Sequence, residues 1–270
     1  MRPWVFVPFL LGCAVGDYAE PSDRPDDPDD VPRLEDVVNP RFKPPPMRQI
    51  PAGDFYVGCH EGVALELLGI RCQADEKFRR EHVDAFSIDV DEVTQYEYRR
   101  CVLAKRCTPP SMRDPDDDVQ RPTPYKHDLP VVYVSWRQAR EYCQWRGTRL
   151  PTELEWERAA RGDIARLFPW GSALPTCRLA NFEGCGGELQ AVTSHPEGVS
   201  ADGLYDMAGN AWEWVEESPG EDFPHSMRVI RGGNFNSPAE LLRTSYRGHL
   251  VESFGYPTVG FRCATSRQVE

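Results

Sequence analysis

Thiols, imidazoles and paired carboxylates are the side chains in this sequence whose types and spacing bear on chemistry. The thiols are Cys13, Cys59, Cys72, Cys101, Cys107, Cys143, Cys177, Cys185 and Cys263, and no two of them have the C-x-x-C spacing of a zinc knuckle. The histidines, His60, His82, His127, His195, His225 and His249, are scattered without H-x-x-x-H or similar spacing, so they read as surface residues rather than as iron or zinc ligands. Ser237 has no G-x-S-x-G setting and does not read as a hydrolase nucleophile. Asp206 and Glu213 flank the turn Met207-Ala208-Gly209-Asn210-Ala211-Trp212, a hard-oxygen arrangement suited to calcium. The same spacing fits a plain surface turn between buried Tyr205 and Trp214, and the residues alone leave both open. The acidic run Arg113-Asp114-Pro115-Asp116-Asp117-Asp118 lacks the Gly turn and closing Glu of a calcium loop, so it reads as solvated.

Cys13 differs from the other cysteines in context. Met1-Arg2 precedes an apolar stretch from Pro3 to Leu11, shorter than the roughly 20 residues of a membrane helix but suited to an export signal. It ends Leu10-Leu11-Gly12-Cys13, which resembles the bacterial lipobox, so residues 1–12 are expected to be a lipoprotein signal peptide and Cys13 the lipidated start of the mature chain. An ordinary signal peptide with an incidental Cys13 is the alternative. Residues 13–48 are rich in Asp and Pro, including Pro25-Asp26-Asp27-Pro28-Asp29-Asp30 and Pro44-Pro45-Pro46, and read as a disordered tether holding the rest away from the membrane surface. Removing Cys13 leaves an even set of 8 cysteines, which in an exported chain suggests four disulfides. Cys59/Cys72, Cys101/Cys107 and Cys177/Cys185 are near neighbours, which leaves Cys143 and Cys263 for a long-range bond.

These residues need a scaffold, and residues 49–270 read as one domain without a second linker or a fixed repeat. Its helices start at capping boxes: Thr94 with Glu97, Ser135 with Gln138, and Thr152 with Glu155. Tyr98, Cys101 and Val102 share one helical face, as do Trp136, Ala139 and Cys143, while Gly147 and Gly162 sit where helix ends belong. Phe86-Ser87-Ile88-Asp89-Val90 and Val131-Val132-Tyr133-Val134 read as strands among many Gly, Asn and Pro turns. The expectation is an α+β domain with few short helices and strands and long, irregular loops. Trp136, Trp145, Trp156, Trp212 and Trp214 are read as its core rather than as a sugar-stacking platform. A formal net charge of -12 disfavours a nucleic-acid partner, because phosphate binding needs a cationic face.

Several blocks in order resemble the sulfatase-modifying-factor family, to which formylglycine-generating enzyme belongs. They are Ser135-Trp136 through Cys143; Gly147-Thr148-Arg149-Leu150-Pro151-Thr152-Glu153-Leu154-Glu155-Trp156-Glu157; Gly203-Leu204-Tyr205-Asp206-Met207-Ala208-Gly209-Asn210-Ala211-Trp212-Glu213-Trp214; Arg231-Gly232-Gly233-Asn234-Phe235; and Gly260-Phe261-Arg262-Cys263. Ile50-Pro51-Ala52-Gly53 and Asp91-Glu92-Val93-Thr94 support them. The resemblance implies a C-type-lectin-like fold over about residues 49–266 and again a Cys143–Cys263 bond. It implies a structural calcium held by the side chains of Asp206 and Glu213 and the carbonyls of Gly209 and Ala211. A second calcium site would begin at Asn181 and Phe182, but the stretch through Gly186-Gly187-Glu188 is shorter than in the enzyme and lacks its Asp.

The family's enzyme uses copper and two cysteines shortly after the Arg-Gly-Gly block to oxidise a sulfatase cysteine. Here Ser237 stands at the first cysteine's position and Leu242 or Arg243 at the second, with no cysteine between Cys185 and Cys263. Thiolates hold Cu(I), whereas a Ser hydroxyl holds it poorly and Leu not at all, so copper is not expected. The cleft beneath Arg231-Gly232-Gly233 offers Asn234, Asn236, Ser237, Arg243 and Arg247, which can hydrogen-bond a ligand or merely satisfy loop backbone. The expected function is a cell-envelope lipoprotein whose non-catalytic domain binds or scaffolds an envelope protein, peptide or glycan. The competing reading is a formylglycine-generating oxidase or another envelope enzyme using the same cleft. Lipid anchoring predicts that the full chain partitions into detergent and that Cys13→Ala shifts it to the aqueous phase. An unchanged distribution would refute the anchor.

Overall fold

The computed structural model describes residues 45–62, 66, 69, 71–110 and 126–267. Cys13, most of the tether and the acidic run 113–118 lie outside the described residues.

Short-range hydrogen bonding builds the helices. In α1 (Gln95–Leu103) the Thr94 hydroxyl accepts from the Glu97 amide while the Glu97 carboxylate accepts from the Thr94 amide. Ser135 with Gln138 and Thr152 with Glu155 repeat this reciprocal cap at α2 (Trp136–Trp145) and α3 (Glu153–Arg161). Helix α3 ends at Gly162 with φ +75°, a backbone conformation that a residue with a Cβ rarely adopts.

The strands of the described residues are short and fall into three sheets. Strands β1 (Met47–Ile50) and β4 (Phe86–Asp89) pair antiparallel, and β9 (Ala264–Thr265) adds to the other side of β4. Strand β1 thus takes up residues that the sequence reads as the end of the tether. Strands β2 (Gly53–Val57) and β3 (Arg79–Val83) form a separate antiparallel pair. The largest sheet runs in the order β7 (Gly248–Val251), β6 (Met227–Arg231), β5 (Trp212–Trp214), β8 (Val259–Gly260), with β5 and β8 parallel.

The expected strand at Val131–Val134 does not form. The Val131 amide donates to the Val93 carbonyl and the Tyr133 amide to the Tyr256 carbonyl, and Tyr133 has φ +60°. A left-handed residue interrupts extended backbone, so this apolar run is there to fill the core: Val131, Val132 and Val134 are all buried.

One core cluster packs Tyr98, Tyr142 and Phe261 with Trp136, Trp212 and Trp214. A second gathers Trp156 with Ile50, Phe55, Phe86, Ile88 and Met207. Trp145 packs half-buried against the first cluster, so all five tryptophans read as core are spent on packing. Disulfides join Cys59–Cys72, Cys101–Cys107, Cys143–Cys263 and Cys177–Cys185, as expected. The Cys143–Cys263 bond spans 120 residues and ties α2 to the residue before β9. A loop of that size contributes about 4–5 kcal/mol in the chain-entropy model. An ion pair reinforces the same junction. Arg146, capping α2, donates to both oxygens of buried Asp89 at 2.7 and 2.9 Å, and Asp89 Oδ2 also accepts from the Cys263 amide at 2.8 Å.

Candidate functional site

The turn that the sequence marks for calcium is conformationally unusual. Asp206, Gly209 and Asn210 all have positive φ, at 54°, 84° and 60°. Asp and Asn tolerate this region better than most residues. Gly209 is required for a further reason: a Cβ there would lie 2.3 Å from the Asn181 carbonyl oxygen. That contact seats the turn against residue 181, whose carbonyl accepts from the Asn210 amide at 2.8 Å.

The Glu213 carboxylate is shared with a partner that sequence reasoning did not foresee. Arg262 Nη2 donates to its Oε1 at 2.7 Å, and both Arg262 Nε and Trp156 Nε1 donate to its Oε2 at 2.8 Å. Glu213 is therefore first a buried counter-ion, with only Oε1 keeping a lone pair for a cation. Asp206 Oδ2 accepts from the Thr193 amide at 2.9 Å, while its buried Oδ1 has no hydrogen-bond partner. Glu92, also missed, is fully buried and accepts from Asn210 Nδ2 and the Ala211 amide.

Arg262 thus faces Asp91, Glu92, Asp206 and Glu213, an excess of carboxylate over guanidinium. Burial pushes Asp91 up to about 6, against the pull of Arg262. Burial, with the Asp206 and Glu213 charges beside it, holds Glu92 well above the usual carboxylate range. Burial raises Asp206 as well. Surplus buried negative charge, an orphaned carboxylate oxygen and an all-oxygen donor set fit a hard divalent cation. At Asn181, by contrast, the side-chain oxygen already accepts from Gln190 Nε2 at 3.3 Å and Nδ2 donates to the Glu188 carbonyl and Asn210 Oδ1.

The residues expected to line the ligand cleft are mostly engaged elsewhere. Asn234 Oδ1 accepts from the Asn236 amide at 2.8 Å and from Ser237 Oγ at 3.1 Å, and Ser237 Oγ accepts from the Asn234 amide at 2.9 Å. Asn234 and Ser237 are buried and close their own turn, with the Asn236 side chain left exposed outside it. Leu242 is fully buried and packs over Gly233, where a Cβ would meet its Cδ2 at 2.7 Å. Arg243 is buried as well, donating to the Glu240 carbonyl and paired with Glu76. Of the expected cleft residues, Asn234, Ser237 and Arg243 are thus turned to neighbouring protein groups rather than to a ligand, whereas the Asn236 side chain stays exposed.

Arg247, also of the expected set, lines a cavity of about 290 Å³ with Asp75, Glu76, Glu153, Glu157 and Glu217. It clamps Glu153 through Nε at 2.6 Å and Nη2 at 2.9 Å and reaches Asp75 through Nη1 at 2.7 Å. Behind it, fully buried Arg231 donates to Glu153, Glu157 and the carbonyls of Thr244 and Ser245. Against burial, Arg231 and Arg247 hold Glu153 below its usual range. Glu217 Oε2 accepts from the Glu153 amide at 2.7 Å, and burial with the Glu153 charge nearby pushes Glu217 up to about 7. Among the described residues no histidine joins a metal-ligating cluster.

Residues 35–267 match the model of the sulfatase-modifying factor enzyme 1-like domain. The chain belongs to this family. Its irregular α+β architecture is the family's C-type-lectin-like fold. The inactive C-alpha-formylglycine-generating enzyme 2 of Bos taurus is 37% identical over 155 residues, covering 52% of this chain and 51% of that protein. The hercynine oxygenase of Mycolicibacterium thermoresistibile is 38% identical over 144 residues, covering 44% and 32%. The formylglycine-generating enzyme of Bos taurus is 34% identical over 167 residues, covering 52% and 45%. The chain therefore spans about half or less of these relatives' lengths. The solved structure of PvdO from Pseudomonas aeruginosa superposes with a TM-score of 0.67 at 24% identity, over 82% of this chain and 94% of that one. That of CarF gives 0.60 at 20%, over 84% and 99%. At these identities the likeness speaks for the fold alone.

The raised carboxylates around Arg262 predict the pH response. A carboxyl whose folded pKa lies above its unfolded value binds more protons in the folded state, so its contribution to stability is present below the unfolded pKa and lost as pH rises through the folded one. For Asp91 that window runs from 3.8 to about 6. Denaturant melts across it, in the absence of divalent cations, are expected to show a shallower loss for Asp91→Asn than for the unaltered chain. Identical slopes would refute the assignment.

Proposed function

We propose that this chain is a non-catalytic member of its family, a lipid-anchored binding or scaffold module of the bacterial cell envelope. The observation that carries this reading is the fate of the positions where the oxidase keeps its cysteines. Ser237 is closed into a turn with Asn234, and Leu242 is core. Neither is a soft ligand, and the other cysteines of the domain are all in disulfides. The lipobox-like sequence before Cys13 supports anchoring at the envelope, and the acidic tether supports display of the domain away from the membrane. The cavity walled by Arg247, Asp75 and Glu153 is the recess in which this module takes a polar group of an envelope protein, peptide or glycan. The full chain supplied with Cu(I), oxygen and a Cys-x-Pro-x-Arg peptide is expected to leave that peptide unchanged in mass. Formation of formylglycine would overturn the reading.

Calcium is proposed as a structural ligand at the 206–213 turn. Asp206 Oδ1 is the oxygen that holds it and Glu213 Oε1 the second, while the ion neutralises the carboxylate surplus beside Arg262. A ligand that binds only the folded state raises stability by mass action. Calcium is expected to raise Tm in the unaltered chain and chelator to lower it, with little response in Asp206→Asn. That variant is a cleaner probe than Glu213→Ala, which would also strip Arg262 of its counter-ion. An equal calcium response in Asp206→Asn would sink the site.

A further inference from the structure

The Cys59–Cys72 disulfide stands in an environment unlike those of the other three. Cys59 is buried at 4% exposure, whereas Cys72 is half-buried and reachable from solvent. Arg243 Nη1 lies 3.0 Å from Cys59 Sγ. The same guanidinium pairs with Glu76, whose carboxylate lies within 4.8 Å of both sulfurs. Cys143, Cys263, Cys101 and Cys107 are all buried, which denies an attacking group access. Cys177 is exposed and Cys185 half-buried, but among the described contacts no cation donates to either sulfur.

Thiol–disulfide exchange has a direction set by these features. The sulfur that can be reached is the one attacked, and the sulfur whose thiolate is better stabilised is the one that leaves. A neighbouring guanidinium lowers a thiol's pKa and so improves it as a leaving group. Here access and cation fall on opposite sulfurs, which gives the bond a polarity: Cys72 is electrophilic and Cys59 is the leaving thiolate.

We infer that Cys59–Cys72 is a thiol-exchange site, opened by an external thiol that attacks Cys72 while Arg243 receives the Cys59 thiolate. In the first step the external thiolate bonds to Cys72 Sγ, the Cys59–Cys72 bond breaks, and its electron pair stays on Cys59 beside Arg243. In the second, another thiolate from the same donor attacks the donor sulfur of this mixed disulfide and releases Cys72. The donor ends as a disulfide, having passed two electrons to the protein, and protons from the donor thiols balance those taken up by the two cysteines. Burial raises the proton affinity of Glu76, which makes it the nearby group able to share a proton with the Cys59 thiolate. The site borders the cavity through Gly58, Glu76 and Ser245, so opening the bond releases a tie on the wall of the recess. This inference does not depend on whether the domain is catalytic.

The test is timed exposure of the full chain to glutathione, quenched by alkylation and read by peptide mass spectrometry. The mixed disulfide is expected on Cys72 rather than Cys59, and Cys59–Cys72 is expected to open before Cys101–Cys107 and Cys143–Cys263. Arg243→Gln should slow this opening by about tenfold or more relative to Cys177–Cys185 in the same molecules, and Arg243→Lys should restore most of the rate. The Cys177–Cys185 rate serves as the internal reference, and the position of the adduct in the unaltered chain needs no variant. An adduct on Cys59, opening no faster than Cys143–Cys263, or a relative rate unmoved by Arg243→Gln would each overturn the proposal.

Discussion

The buried guanidinium of Arg262 is the constraint around which the domain closes. It donates to both oxygens of Glu213 and to the carbonyls of Asp89, Val90 and Tyr205. One side chain thus joins the end of β4, the entry to the 206–213 turn and strand β5. Glu213 in turn holds the Trp156 indole, which brings α3 into the same knot. Burying such a charge is costly unless its hydrogen bonds are all met, and here each donor nitrogen has an acceptor. Removing one partner would leave the other charged and uncompensated in the core.

A second buried guanidinium network sets the character of the recess. Arg231 and Arg247 share Glu153, Arg231 and Arg161 share Glu157, and Arg243 holds Glu76. Long-range pairs of this kind position polar walls without leaving many groups free to bind. The consequence is a pre-formed cavity whose charges are largely matched internally, although burial pushes Glu217 up to about 7. Such a recess suits recognition of a polar group by fit more than by net charge.

Disulfides and ion pairs carry a load that regular secondary structure does not. Among the described residues the strands are 2 to 5 residues long, and α1, α2 and α3 are 9 or 10. Loops of this extent need ties, and Cys143–Cys263 with Asp89–Arg146 supplies two at one junction. The polarised Cys59–Cys72 bond is of a different kind, since its surroundings favour exchange over permanence.

The helix starts were legible in the sequence because a capping box is a contact between residues three apart, and Thr94, Ser135 and Thr152 carry their partners within the same turn. The disulfide pairing was legible for a related reason: three of the bonds close short intervals, which leaves the fourth determined. Ordered motif blocks likewise marked the family. The roles of Glu213, Asn234, Ser237 and Arg243 were not legible, and neither was the failure of Val131–Val134 to form a strand. A carboxylate or guanidinium looks the same in a sequence whether it meets a ligand or a buried counter-ion. Arg243 meets Glu76 across 167 positions, and Asp89 reaches the Cys263 amide across 174. Only the tertiary structure decides such pairings, because they follow from which distant segments the core packs together.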